Sequence, residues 1–424
     1  MSRLDGYIAK IFHIEDSQLS RSVIEREQLE QLNRLLEWCR TNSTYYADYP
    51  EKLHALSEIA NLPFITAQML TEHHREMVCV SQSEISRIVT MCTSGTSGIQ
   101  KRLFFSEPDQ KLTVDFFACG LSEMNEPGDR CMILMPGHRP GGMSWLIGQA
   151  LEQIGAVPVP CGHDKTFEEM ASLLREQQIT TIVGSPVQIL SLGRYLEYYN
   201  LPHNIKAVLV SSDYLPETVR KAIMDTLHCQ VYDHYGITEA GLGFSIECEQ
   251  HQGLHIREND LFVEIINPET GLPVPDGQWG EMVFTTLTRR AMPLIRYRTG
   301  DKARFLSENC GCGSIVKRMD KIPGRIQQLR DTYCMPVLDE ILFQLPHILD
   351  YQAIFDTKEQ TLSLKLLLTE YVENLGEQIE VMLKPVLKEN HTATYICEYL
   401  DEVNRYTVKS LYLAKRTVLS KENI

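Results

Sequence analysis

The chain has 424 residues, 43% apolar and 23% charged, the balance of a folded globular protein with room for two or three domains. A formal charge of −15 excludes a broad nucleic-acid face, which would need basic residues to neutralise phosphates. Twelve cysteines scattered among core-like segments are not the dense framework of a small secreted scaffold. The opening stretch MSRLDGYIAKIFHIEDSQ has no apolar run of signal-peptide type. No segment reaches the ~18 consecutive apolar residues of a membrane helix. The expectation is a cytoplasmic protein without membrane or nucleic-acid partners.

Up to about residue 88 the pattern is helical. Leu29, Leu32, Leu35, Leu36 and Trp38 recur at helical spacing, and Arg40–Thr41–Asn42–Ser43 ends that run. From Pro63 a proline-started turn leads into a short helix. Near residue 130 a regular alternation begins. CMILMP (131–136), AVPVP (156–160), TTIVGSP (180–186), IKAVLVSSD (205–213) and CQVYDHYG (229–236) read as strands. GGMSWLIGQALEQIG, TFEEMASLLREQQ, VQILSLGRYLEYYN and PETVRKAIMDTLH read as the helices between them. Such alternation predicts a parallel, doubly wound sheet, with ligands beyond the carboxyl ends of its strands. Pro136–Gly137–His138, Gly184–Ser185–Pro186, Ser211–Ser212–Asp213 and Tyr235–Gly236 all fall there.

After residue 253 the rhythm turns to alternating β segments. DLFVEIIN, GEMVFTTLT and IRYRTGDKARFL are joined by the turn sequences PETG and PDGQWG. Residues 326–424 then form a smaller mixed section. It contains helices in VLDEILFQLP and ENLGEQIEVMLKPVLKEN, and strands in YQAIFD, TLSLKLLLT and ATYICEYLDEV. The boundary is placed at Gly324–Arg325, giving domains 1–324 and 325–424.

The sharpest local feature is Thr93–Ser94–Gly95–Thr96–Ser97–Gly98–Ile99–Gln100–Lys101. Glycines let backbone approach phosphate oxygens, hydroxyls donate short hydrogen bonds and lysine adds charge. The spacing differs from the Walker pattern. Strand-like RIVTMC and KRLFFS on either side put the loop in a hairpin rather than before a helix. A Ser/Gly-rich surface turn is the plainer alternative.

Three more stretches follow in order: YDHYGITEAG (232–241), GEMVFTTLTRRAMPLIRYRTGD (280–301) and PGR (323–325). With TSGTSGxxK they resemble the adenylate-forming superfamily. NSTYYADYP, LPFITAQML and FTTLTRRAMPLIRYRTGD are especially similar to its phenylacetate–CoA ligase branch, and the resemblance runs from about residue 30 to about 416. It implies a large N-terminal domain, with the doubly wound sheet and the β section, and a small mobile α+β C-terminal domain. It implies activation of a carboxylic acid with ATP and Mg²⁺, then transfer of the acyl group to coenzyme A. A carrier-protein thiol or an amine is the alternative acceptor, and a non-catalytic nucleotide-binding regulator the alternative of another class. A P-loop NTPase is a more distant one.

By the same resemblance, Thr93 to Gly98 and Lys101 grip the β- and γ-phosphates. Tyr235 stacks on adenine, with Ser212, Asp213, Asp233 and Gly236 around the nucleotide. Thr238 contacts the α-phosphate, Glu239 holds Mg²⁺, Asp301 takes the ribose hydroxyls and Arg325 is the hinge-region arginine. Lys415, in SLYLAKRTVL, is the late lysine at the acyl-phosphate region, with Lys409 as rival. After Gly324–Arg325 the chain reads IQQLRDTYCMPVLDE, where the branch usually has two aspartates and a glycine-containing stretch. The acid is expected to be aryl or arylacetic, and the branch also suggests a homodimer.

Cys310–Gly311–Cys312, with upstream Cys248 and His255, offers three thiolates and an imidazole, a set suited to structural zinc; some members of the branch carry a set of this kind. His251 competes with His255, and unligated cysteines are the plainer alternative. His138–Arg139 can face substrate or be a solvated loop, Met143 and Trp145 can line the acyl pocket or pack in the core, and Arg289–Arg290 is expected to be surface charge.

Overall fold

The computed structural model describes residues 2–92, 100–162, 165–330, 333–400 and 418–420. The chain divides into two compact units. The first takes Met1–Glu123, Arg139–Ala150 and His234–Ile326; the second takes Met124–His138, Leu151–Asp233 and Gln327–Ile424.

In the first unit a short helix, Arg3–Ile11, precedes the expected amphipathic helix, Arg21–Asn42. The Ser20 hydroxyl caps its start, and Ile24, Leu32, Leu35, Leu36 and Cys39 form its buried stripe. The hairpin is present as well: Ile85–Cys92 pairs antiparallel with Gln100–Ser106. The helix Glu107–Leu121 follows at once. Ser106 and Asp109 close a capping box, which satisfies two otherwise orphaned backbone donors.

The β section is a three-stranded antiparallel sheet, Leu261–Ile266, Gly280–Thr286 and Tyr297–Ala303. A second set of short strands, Ser245–Glu247, Leu254–Ile256 and Arg318–Met319, pairs antiparallel, with His234 and Tyr235 alongside Ile246 and Ser245. Phe244, Phe284, Leu294 and Tyr297 lie in the apolar core of this unit.

The second unit carries the parallel strands in the order Val157–Pro160, Arg130–Ile133, Thr181–Gly184, Ala207–Val210, Gln230–Tyr235, the last of which leaves the unit after Asp233. Thr181–Gly184 and Ala207–Val210 are buried at every position, as strands covered on both faces must be. The helices Phe167–Glu176, Pro186–Tyr198 and Glu217–Leu227 occur where the apolar periodicity predicts them.

Still within this unit, Ile348–Asp356, Thr361–Leu368, Thr392–Tyr399 and Leu419–Ser420 form a mixed four-stranded sheet. It docks on the helix Pro186–Tyr198. Ser191 Oγ donates to Leu349 O at 2.6 Å, and Arg194 donates to Phe343 O at 2.7 Å and to Ile348 O. The helix expected over ENLGEQIEVMLKPVLKEN is shorter, Leu375–Leu383. Lys384 still has helical backbone (φ −48°, ψ −40°), but Pro385 offers no N–H to continue the hydrogen-bond ladder, so the helix stops there. Among the described residues no helix is long and apolar enough to cross a membrane.

Candidate active site

The site is built on strand ends and tight turns of the first unit. Strand Gln230–Tyr235 ends at Tyr235, and Gly236 turns the chain. A Cβ at Gly236 would overlap the carbonyl oxygen of Leu242, so no other residue fits without moving backbone. A one-turn 3₁₀ helix, Thr238–Ala240, follows and closes at Gly241 in the left-handed region (φ +86°). Lys101 enters from the hairpin, and Tyr297 and Asp301 from the strand Tyr297–Ala303.

Two linked sets of polar groups result. In one, buried Lys101 donates through Nζ to Glu239 Oε1, and the Tyr297 hydroxyl donates to the same oxygen at 2.9 Å. Burial alone would raise the Glu239 pKa, but the Lys101 charge and its hydrogen bond hold it below the usual carboxylate range. Glu239 is therefore an ionised carboxylate in a dry setting.

In the other set, the Tyr235 hydroxyl donates to Asp301 Oδ2 at 2.6 Å, and Arg325 Nε lies 3.9 Å from Asp301 Oδ1. Arg325 is fixed by backbone: Lys302 N donates to Gly324 O at 3.0 Å and Ile326 N to Gly300 O at 2.9 Å. Burial, then Asp301, pushes the Tyr235 phenol well above its ordinary value. Tyr297, Glu239, Asp301 and Arg325 also feel one another electrostatically, so the two sets form one polar surface. Thr238 is half-buried beside it.

The structure thus brings together Lys101, Tyr235, Gly236, Thr238, Glu239, Asp301 and Arg325. Ser212, Asp213 and Asp233 belong to the second unit, at the carboxyl ends of Ala207–Val210 and Gln230–Tyr235, as the parallel-sheet rule predicts. Ser212 is exposed and adopts a left-handed φ of 76°, and Asp213 Oδ1 accepts from Tyr214 N at 2.9 Å. His138 and Arg139 are exposed. Thr93, Ser94, Gly95, Thr96, Ser97 and Gly98 lie outside the described residues, as do Lys409 and Lys415.

One correction concerns a charged side chain, and one site residue went unmarked in the sequence. Arg289, expected at the surface, is buried and donates to the Glu239 carbonyl; only Arg290 is exposed, across the Trp38 ring. Tyr297 sits inside the quoted IRYRTGD stretch, yet nothing in its spacing marks a hydroxyl aimed at Glu239.

The second cluster is also assembled. The ligand atoms of Cys248, His255, Cys310 and Cys312 lie within 4.8 Å of one another. Cys248 and Cys310 sulfurs are 3.6 Å apart, and Cys312 Sγ is 3.5 Å from His255 Nε2. His251 lies against Glu247, at 3.2 Å, and is outside this four-residue group. Ligand atoms around tetrahedral zinc stand about 3.5–4 Å apart, given bonds of about 2.0–2.3 Å, so the donor set and its spacing fit that ion. Burial holds His255 neutral, its pKa lowered to about 4, as a metal ligand requires.

Comparison with known proteins agrees with this geometry. The profile of the family described as "AMP-binding enzyme" matches residues 13–287. The chain is 27% identical to a phenylacetate-coenzyme A ligase of Thermus thermophilus, covering 90% of this chain and 89% of that one. It is 30% identical to a phenylacetate-coenzyme A ligase of Pseudomonas putida, over 72% and 71%. Among solved structures it is similar in fold to a 2-hydroxyisobutyryl-CoA ligase in the postadenylation state, with a TM-score of 0.78, 18% identity, and 95% and 91% of the two chains covered. The chain belongs to the AMP-binding, adenylate-forming enzyme family, and within it is similar to the phenylacetate–coenzyme A ligase branch.

Proposed function

We propose that this chain is an ATP-dependent carboxylate–coenzyme A ligase acting on an aryl or arylacetic acid. The substrate carboxylate attacks the α-phosphorus of ATP and pyrophosphate leaves. The coenzyme A thiolate then attacks the acyl carbon of the acyl-adenylate, and AMP leaves. The observation that carries the reading is the joined polar surface of Lys101, Glu239 and Tyr297 with Tyr235, Asp301 and Arg325. It offers a cation for phosphates, an ionised carboxylate for a hard metal ion, an aromatic ring for a base and a carboxylate for ribose hydroxyls.

The acid arrives already ionised, so the protein's task is positioning and charge neutralisation rather than proton abstraction. Lys101 and the loop Thr93–Gly98 would hold the β- and γ-phosphates, and Thr238 would donate to the α-phosphate. Glu239 suits Mg²⁺, which when bound would neutralise phosphate charge. Asp301, Ser212, Asp213 and Asp233 would surround the nucleoside, with Arg325 at the junction of domains 1–324 and 325–424. Lys415, on the C-terminal domain, would reach the acyl-phosphate during adenylation. The four-residue cluster would hold a structural zinc, since all its ligands come from the protein and no position is left for water. A cytoplasmic location fits such a ligase.

Exchange of labelled pyrophosphate into ATP, across aryl, fatty and short-chain acids, tests the reading. Stimulation by aryl or arylacetic acids is expected. ATP binding with no exchange from any acid would overturn it in favour of a non-catalytic nucleotide-binding protein.

A further inference from the structure

The turn that bears Thr238 and Glu239 is gripped from behind by three side chains that none of the roles above uses. The turn's own backbone serves its first two carbonyls and, through Gly243 N at 3.0 Å, that of Gly241 as well. Ile237 O accepts from Ala240 N and Leu242 N, and Thr238 O from Gly241 N, each at 3.0 Å. The next three carbonyls each receive a buried side-chain donor. Arg289 Nη1 donates to Glu239 O, Arg257 Nη2 to Ala240 O at 3.0 Å, and Thr113 Oγ1 to Gly241 O at 2.6 Å. The donors come from three separate elements. Arg289 follows the strand Gly280–Thr286, Arg257 follows Leu254–Ile256, and Thr113 is in the helix Glu107–Leu121.

This arrangement is costly. Two guanidinium ions are taken out of water, and apolar residues would fill the same space more cheaply. The structure compensates them locally. Arg257 Nε stands 2.7 Å from Asp260 Oδ1, and Arg257 and Arg289 lie across the rings of Phe116 and Phe105 at 5.4 and 4.9 Å. Asp109 faces Arg289 electrostatically and accepts the backbone N–H groups of Arg290 and Ala291, at 2.8 and 3.1 Å, which pins the loop carrying Arg289. Burial lowers the Arg289 pKa to about 10, which leaves it charged at neutral pH.

What the arrangement achieves is direction. The carbonyls of residues 239–241 are drawn toward the arginines and Thr113, while the Glu239 carboxylate reaches Lys101 and Tyr297. Gly241 is part of the fit. A Cβ there would come to 2.9 Å from Arg289 Nη2 and 3.3 Å from Thr113 Oγ1.

We infer that Arg289, Arg257 and Thr113 are positioning residues, a carbonyl clamp that sets where the Glu239 carboxylate and the Thr238 hydroxyl stand. The inference rests on the ligase reading of the site, because it acts through the metal and α-phosphate contacts proposed for those two residues.

Thr113→Val removes one donor at nearly constant volume, and Thr113→Ser restores it. On the full chain, the readouts are kcat and KM in acid-dependent pyrophosphate exchange, the Mg²⁺ midpoint, the thermal midpoint and Mg·ATP affinity by calorimetry. Thr113→Val is expected to lower kcat about five- to tenfold, the size of one misplaced hydrogen bond acting on a catalytic group. It should also raise the Mg²⁺ midpoint and leave KM for the acid unchanged, with Thr113→Ser restoring both. Arg289→Lys keeps the charge but loses the forked donor, and should fall further. In a Glu239→Gln background, Thr113→Val should change kcat no more.

A lower thermal midpoint with kcat and Mg²⁺ midpoint unchanged would reduce the clamp to a structural brace and overturn the inference. If the unsubstituted protein shows no exchange with any acid, the ligase reading is what fails. Calorimetry then decides the clamp alone, and Mg·ATP affinity equal to that of the unsubstituted protein in Thr113→Val and Arg289→Lys would sink it.

Discussion

The parallel strands of the second unit and the turn around Glu239 in the first are both buried, by opposite means. Thr181–Gly184 and Ala207–Val210 have interiors of Ile182, Val183, Val208, Leu209 and Val210, whose burial is non-directional and additive. Around Glu239 the interior holds Lys101, Arg257, Asp260, Arg289 and Asp109. Each of these is tolerable there only because a particular partner stands at a particular distance. A core of the first kind forgives changes of shape at a cost in stability. One of the second kind is sensitive to single atoms, and what it controls is geometry at the reacting groups.

Substitutions in the two regions should therefore separate activity from stability. The largest effect is expected from Glu239→Gln, which keeps the side chain's shape and its acceptor for Lys101 and Tyr297. Pyrophosphate exchange per folded molecule should fall about 10²–10³-fold; the thermal midpoint should fall as well, because the buried Lys101 charge loses its anion. An active Glu239→Gln enzyme would break the contrast.

Next comes the cysteine–histidine cluster, the polar region's proposed structural anchor. Elemental analysis should find one zinc per chain. Cys312→Ser should reduce that content and lower the thermal midpoint, because binding energy of a structural metal is folding energy; a stable, zinc-free native protein would remove this anchor.

In the apolar region, Ile182→Ala should cost about 2–5 kcal/mol in urea unfolding, with exchange per folded molecule unchanged. A large loss of turnover there would mean that the parallel sheet sets site geometry too.

The smallest effect returns to Glu239. Its folded pKa is lowered, so it contributes stability above the ordinary carboxylate value of about 4.3 and loses it as pH falls through the lower folded value. Glu239→Gln should lack that part of the acid-induced loss, which urea midpoints between neutral and acid pH measure. Identical acid slopes in the two proteins would show that Lys101 does not hold the carboxylate ionised.

This contrast also explains what the sequence makes legible. Apolar periodicity places the strands and helices of residues 130–236 because burial follows side-chain period. The hairpin around residues 93–99 and the β section follow from strand and turn chemistry. Charged interiors have no such period. Arg289 sits next to exposed Arg290 in TTLTRRAMP, and nothing local distinguishes them; the long-range neighbours Glu239 and Phe105 decide. His255 and His251 are equally placed in ECEQHQGLHI. The fold sends the first to the cysteines and the second to Glu247. Tyr297 likewise gains its place only when Tyr297–Ala303 pairs with Gly280–Thr286. The overlong helix at 373–390 is different, because Pro385 was there to be read.

The two glycines of the Glu239 turn have an evolutionary consequence. Gly236 has no room for a methyl group before the Leu242 carbonyl, and Gly241 combines a left-handed backbone with a methyl-sized space already taken by Arg289 and Thr113. Most single-residue paths through this turn are therefore closed: it is inherited whole or lost. A descendant of this chain that adopts a new acid must vary elsewhere, in loops free of such crowding, and carry the turn along unchanged.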